Sequence, residues 1–211
     1  MKVLLVNGSP HKNGCTNTAL EEIATTLKEE GIGATIYHLG INPIAGCRGC
    51  GACAKLGHCV IDDCVNEFVN MAEDYDGFIF GSPVHYASAC GAITSFMDRA
   101  FFVAFQSGRD DVFRHKPAAA VASARRSGTT ATLDQLNKYF MISEMPVISG
   151  RYWNMVHGHT PEQVRQDLEG LQNMRILARN FAWHLKCQEA GKKAGVPMPK
   201  EEKIVFTNFI R

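Results

Sequence analysis

The chain of 211 residues is 45% hydrophobic and 20% charged, a globular composition whose length suits one large domain better than two small ones. Lys and Arg number 22 against 21 Asp and Glu, which excludes the basic excess that binds nucleic acid through its phosphates, so the expected partners are small molecules or other proteins. No apolar run reaches the roughly 18 residues that span a bilayer, and MKVLLVNGSP is interrupted too soon for a signal peptide. The expected location is therefore the cytoplasm, where a close group of cysteines reads as metal-binding or redox-active rather than as a disulfide framework.

The elements follow in chain order. Residues 2–7, KVLLVN, form an apolar run ending in Gly-Ser-Pro, the pattern of a strand buried on both faces of a parallel sheet. Leu20, Ile23, Ala24 and Leu27 recur at i, i+3, i+4, i+7 and predict an amphipathic helix. A second strand is expected over 34–39, a helix over 65–72, and a third strand over 77–84, which repeats the first strand's apolar run and Gly-Ser-Pro. Residues 90–105 predict a helix, 118–124 a strand, 130–142 a helix and 145–150 (MPVISG) a strand. One long helix is expected from Pro161 through Leu185, and 203–210 reads as an extended apolar segment. Strand and helix in turn imply right-handed crossovers and an α/β doubly wound parallel sheet of five strands with helices on both faces. The expected division is one domain over 1–189, with a cysteine-rich loop at 46–60, and a C-terminal extension over 190–211.

In such a sheet, ligands bind outside the carboxyl ends of the strands, so three loops matter. The first, GSPHKNGCTNTAL (8–20), runs into a helix N-terminus, which aims backbone N–H groups at an anion. Ser9, Thr16, Asn17 and Thr18 can add donors, and the loop reads as a phosphate cradle, with a plain helix cap as the competing reading. Neither the nucleotide-triphosphate loop nor the dinucleotide fingerprint can be placed on it. The second, SPVHYASACG (82–91), offers Pro83, Val84, His85 and Tyr86 as a flat wall for a planar ring. The third, SARRSGTT (123–130), brings polar donors to a helix start, with Arg125 and Arg126 facing either a polar ligand edge or solvent.

Residues 47–63 read CRGCGACAKLGHCVIDD, placing Cys47, Cys50, Cys53 and Cys59 in a C-x2-C-x2-C-x5-C spacing interleaved with glycines. Closely spaced thiolates of this kind can converge on one iron–sulfur cubane. Zinc on four thiolates, a two-cysteine thiol relay and a lid of free thiols are the other readings. Asp62 and Asp63 are expected to cap a helix beginning near Cys64, and Asp98 and Arg99 to make a local polar contact. Cys15, Cys64, Cys90 and Cys187 read as small structural side chains, with Cys15 singled out by its place in the phosphate loop.

The order GSP-x-K-x-G-x-T-x-x (8–18), F-GSPV-x-Y (80–86) and FMDRAF (96–101), followed by a Gly-containing third loop, resembles the flavodoxin-like family of NAD(P)H-dependent flavin mononucleotide (FMN) reductases. The compact cysteine spacing followed by VIDD (60–63) resembles that family's iron–sulfur flavoprotein branch. The resemblance runs from residue 1 to about Arg126, and RYWNMVHG (151–158) is similar to segments of related bacterial flavoproteins. It implies a flavodoxin-like sheet of strand order 2-1-3-4-5, with Ser9, His11, Thr16, Asn17 and Thr18 on the FMN phosphate. Pro83, Val84, His85 and Tyr86 would contact the isoalloxazine, and Arg125, Arg126, Ser127, Gly128 and Thr129 its pyrimidine edge. His11 stands where many relatives have Arg, which weakens that phosphate contact, and Tyr86 stands one position later than the family's usual tyrosine. The implied activity is NAD(P)H oxidation by a flavin that passes electrons to a quinone, flavin, azo or nitro acceptor. The alternative is an electron carrier with a [4Fe–4S] cluster on Cys47, Cys50, Cys53 and Cys59, served by a ferredoxin-like protein; a zinc-binding interaction module is the third reading. A homodimer or homotetramer is implied by the resemblance.

Overall fold

The computed structural model describes residues 1–207; the last residues of the extended segment expected over 203–210 lie outside it. In chain order the elements are β1 (Lys2–Asn7), α1 (Cys15–Glu29), β2 (Gly33–His38), α2 (Cys53–Leu56), α3 (Cys64–Ala72), β3 (Gly77–His85), β4 (Ser88–Ala89), α4 (Gly91–Gln106), a 3-10 turn (Asp110–Val112), β5 (Ala118–Ala124), α5 (Thr129–Ile142), β6 (Met155–His157), α6 (Pro161–Val164) and α7 (Leu168–Lys193). Five strands pair in parallel in the order β2-β1-β3-β5-β6, and the two-residue β4 turns back antiparallel on β3. Counting only the parallel strands, this is the expected 2-1-3-4-5 order.

Side chains alternate across each central strand, so the sheet feeds two apolar layers. Val3, Leu5, Ile79, Ala119 and Val121 pack with α1 and α7, while Leu4, Val6, Phe78, Phe80 and Ala120 pack with α3, α4 and α5. The second layer is aromatic: Phe68 sits edge-on to Phe96 at 4.8 Å, and Phe101 stacks on Phe113 at 4.4 Å. Burying each such ring stabilises the fold by roughly 1.5–3 kcal/mol. Phe101 belongs to this core, whereas Phe105 at the end of α4 is exposed.

Two expectations about elements are corrected. The strand expected over 145–150 is a single bridge, Ala118 to Val147, and the ladder resumes only at β6. Between them the chain leaves the sheet, because the Asn154 side chain takes the ladder position: its Nδ2 donates to the Ala120 carbonyl at 3.1 Å and its Oδ1 accepts from Gly150 N–H. Asn173 of α7 holds the same loop by accepting from the N–H groups of Arg151 and Tyr152. The helix expected from Pro161 is broken after Val164, since Asp167 starts a new helix by accepting from Gly170 N–H at 2.9 Å and binds His157 N–H with its other oxygen at 2.7 Å. No described helix is long and apolar enough to cross a membrane.

Candidate functional site

The carboxyl ends of β1, β3 and β5 bring the three loops together. Asn7, the last residue of β1, folds the first loop: its Oδ1 accepts from Ser9 N–H at 3.0 Å and its Nδ2 donates to Asn17 Oδ1 at 3.3 Å. His38, at the end of β2, places Nε2 2.9 Å from the Ser9 carbonyl. Ser9 Oγ accepts from His11 N–H, and Thr18 Oγ1 donates to the Gly14 carbonyl. Thr16 Oγ1 lies 2.8 Å from Ser123 Oγ, and Asn17 Nδ2 donates to Glu21. The side chains of Ser9, Thr16, Asn17 and Thr18 are buried and each has a protein partner, Ser9 Oγ as an acceptor, while His11 is exposed.

What the loop leaves open is backbone. Gly14 precedes α1 in extended conformation with no side-chain cap, and the N–H groups of Cys15, Thr16 and Asn17 meet no acceptor among the described residues. Orphan first-turn donors at the positive end of a 15-residue helix make an anion site. The phosphate of FMN suits this donor set.

The second loop is a hairpin between β3 and β4. Ala87 N–H donates to the His85 carbonyl across Tyr86, whose φ is +64°. This is a γ-turn of the strained hand, a conformation that costs of order 1–3 kcal/mol for a bulky residue. It stands Tyr86 fully into solvent, while Pro83 and Val84 are half-buried beside it and His85 is exposed. The third loop packs against this hairpin at Gly128, where a Cβ would lie 2.7 Å from Val84 Cγ1 and φ is +91°. Arg125, Arg126 and Ser127 are exposed at its rim, and Thr129 is buried with its hydroxyl on Met155 Sδ. Cys90 ties the loops together by donating its thiol to the Gly8 carbonyl at 3.0 Å and its N–H to Ser82 Oγ at 3.1 Å. Cys15 donates to the Gly158 carbonyl, and burial pushes its thiol up.

The cysteine loop lies along α4. Cys47, Cys50, Cys53 and Cys59 line one cavity, closed by Arg99, Phe102 and Val103 of that helix. Gly49, Gly51 and Gly57 take φ of +63°, +66° and +75°, left-handed conformations that glycine adopts freely, and Gly57 ends α2, donating its N–H to the Cys53 carbonyl. Burial pushes the Cys53 thiol up, and Cys47 and Cys50 push it further. Gly49 N–H donates to Cys47 Sγ at 3.5 Å.

Arg99 is 1% exposed. Its Nη1 and Nη2 grip Asp63 at 2.6 and 2.9 Å, its Nε and Nη2 reach Cys59 Sγ at 3.4 and 3.3 Å, and it also donates to the carbonyls of Ile61 and Ala45. Burial lowers its pKa, but Asp63 and Cys59 raise it more, and the net shift is upward. The local contact expected between Asp98 and Arg99 does not form: Asp98 accepts from the Tyr139 hydroxyl instead, because residues adjacent on a helix point apart. Asp63 does cap α3 as expected, accepting from Val65 N–H at 3.0 Å. Sequence reasoning missed Asn7, His38 and the role of Arg99; the signal for Arg99 was a charged residue in phase with the buried positions Phe96, Ala100 and Val103.

The donor set suits an iron–sulfur cubane, which needs thiolates at its separate corners and hydrogen bonds to their sulfurs. The cavity is ringed by those thiols, and both Arg99 and Gly49 N–H point at sulfur.

Comparison with known proteins agrees with this geometry. The model of the NADPH-dependent FMN reductase family matches residues 1–160. An iron–sulfur flavoprotein of Methanocaldococcus jannaschii is 30% identical over 86% of this chain and 96% of its own length. Among solved structures, RosB with a bound 8-demethyl-8-formylriboflavin-5'-phosphate intermediate superposes with a TM-score of 0.70 at 11% identity, covering 100% of this chain and 92% of that one. A flavodoxin from the domain Archaea superposes with a TM-score of 0.59 at 16% identity, covering 88% of this chain and 99% of that one. The chain therefore belongs to the NADPH-dependent FMN reductase family, in its iron–sulfur flavoprotein branch.

Proposed function

We propose that the protein is an FMN-dependent oxidoreductase that takes reducing equivalents from NADH or NADPH in the cytoplasm and delivers them to a small electron acceptor. The observation that carries this reading is the uncapped N-terminus of α1, with its open first-turn N–H groups, set beside the strained hairpin at Tyr86 and the Gly128 loop. Bound FMN supplies hydride acceptance and both one- and two-electron transfer. The chain's residues do the rest. The N–H groups of Cys15, Thr16 and Asn17 would hold the phosphate, Pro83, Val84, His85 and Tyr86 the ring, and residues 125–129 its pyrimidine edge. No side chain in these loops is required to move a proton. The family description names NADPH as the electron source.

A second reading is favoured by the hydrogen bonds from Arg99 to Cys59: a [4Fe–4S] cluster on Cys47, Cys50, Cys53 and Cys59 that trades single electrons with the flavin and with a ferredoxin-like protein. The relative in Methanocaldococcus jannaschii carries iron–sulfur in its name. Helix α4 begins next to the ring-side hairpin and reaches Arg99 eight residues later, a span of roughly 12 Å at 1.5 Å per residue. Among the described residues no three His, Cys, Asp or Glu side chains are gathered closely enough to hold a single metal ion, which argues against zinc, whose four sulfurs must all lie within about 2.3 Å of one point.

Anaerobic titration of the FMN-loaded protein with NADH or NADPH, followed by visible absorbance, tests the primary reading. Bleaching of the flavin band by either nucleotide supports it. A flavin that ignores both nucleotides but is reduced by a ferredoxin-like protein moves the assignment to the electron carrier.

A further inference from the structure

Arg99 is a buried cation aimed at a thiol that the activity as described does not need. Each of its nitrogens has a partner: Nε on Cys59 Sγ, Nη1 on Ala45 O and Asp63, Nη2 on Cys59 Sγ, Ile61 O and Asp63. Every one of these partners outside α4 belongs to the segment from Ala45 to Asp63 that carries the four cysteines. A single side chain therefore pins both ends of the cysteine loop to α4. Burying a guanidinium is costly unless it is paired, and a core position in the stripe of Phe96, Ala100 and Val103 would ordinarily take an apolar residue. Lysine could supply the charge but not the fork that reaches a carboxylate, a thiolate and two carbonyls together.

Resting on the reading of Cys47, Cys50, Cys53 and Cys59 as cluster ligands, we propose that Arg99 is a positioning residue for that cluster, holding Cys59 in place and keeping the cluster's reduction potential higher than the four thiolates alone would set it. The physical basis is that net charge and hydrogen bonds to the sulfurs govern the potential of such clusters. Four thiolates bring negative charge into a partly enclosed site lined by two arginines; Arg48 is exposed and screened by solvent, so the buried Arg99 stabilises the reduced, more negative state most. Asp63 works against this: its carboxylate, gripped by Arg99 at 2.6 Å, cancels part of the field. Arg99 and Asp63 thus bias the potential in opposite directions while both keep the loop closed.

The test uses the full chain, purified and reconstituted with iron and sulfide under anaerobic conditions, as wild type, Arg99→Gln, Arg99→Lys and Asp63→Asn. Iron, sulfide and FMN per chain, thermal unfolding, and the cluster's midpoint potential by EPR-monitored titration are read for each. The expected result is a more negative potential in Arg99→Gln, a smaller negative shift in Arg99→Lys and a more positive potential in Asp63→Asn, with FMN content kept in all. Should Arg99→Gln fail to fold, the opposite signs of Arg99→Lys and Asp63→Asn carry the proposal. Variants that hold a cluster at the wild-type potential overturn the role of Arg99 and leave the cluster assignment standing. A wild-type chain that takes up FMN but no iron overturns both.

Discussion

Thr16 and Ser123 hydrogen-bond to each other at 2.8 Å, both buried, one in the first turn of α1 and the other at the end of β5. This bond sets the uncapped helix N-terminus against the third loop, so the first and third loops of the candidate site are tied by one pair of hydroxyls. Removing one partner leaves the other buried and unsatisfied, at a cost of about 1–3 kcal/mol, whereas removing both is nearly neutral. Thr16→Val and Ser123→Ala are each expected to lower stability by that amount in urea unfolding, and the double variant to lose less than their sum. Additive losses would mean that the pair is not coupled.

Gly128 is the next point of leverage. A methyl group there meets Val84 Cγ1 at 2.7 Å and the Ala87 carbonyl at 3.2 Å, on a backbone with φ of +91°. Gly128→Ala is expected to destabilise the fold by roughly 1–3 kcal/mol and to weaken FMN binding measured by quenching of flavin fluorescence. An alanine variant with unchanged FMN affinity would detach the third loop from the ring site.

Tyr86 offers the converse test. Its γ-turn strain is relieved by glycine, so Tyr86→Gly is expected to hold or raise the unfolding temperature while FMN affinity falls. Equal losses in both would assign Tyr86 to the fold rather than to the ligand.

Stability should also respond to acid through His184. Its Nε2 is buried with no hydrogen-bond partner among the described residues, and burial lowers its pKa below the ordinary 6.5. The folded chain thus binds fewer protons at this site than the unfolded chain, so the stabilising contribution is complete above about pH 6.5 and is lost as pH falls through that value toward the folded pKa. Urea unfolding between neutral and mildly acid pH is expected to fall more steeply for wild type than for His184→Gln. Identical slopes would place the acid sensitivity elsewhere.

The fold was legible where burial writes itself into sequence. KVLLVN and GFIFGSPV read as strands because a parallel strand covered on both faces is apolar throughout. The break between Val147 and Met155 was not legible, because it depends on Asn154 replacing a ladder partner and on Asn173 reaching back from α7. Of the candidate site, the three loops followed from strand ends; that Thr16 and Thr18 also bond to protein and that the first-turn N–H groups of α1 stand open was not legible, because both depend on the fold. Arg99 stood in phase with the buried positions of α4, but its partner was not legible: Asp63 is 36 residues away, and only the fold brings them together.

The second reading adds to the proposed FMN site a cluster on Cys47, Cys50, Cys53 and Cys59. The most direct measurement is iron and FMN per chain in anaerobically prepared wild type and in Cys53→Ala. FMN is expected in both, with about four irons per chain in wild type, as for a cubane on four thiolates, and loss of iron alone in Cys53→Ala. Wild type with flavin but no iron, or Cys53→Ala with undiminished iron, would contradict it.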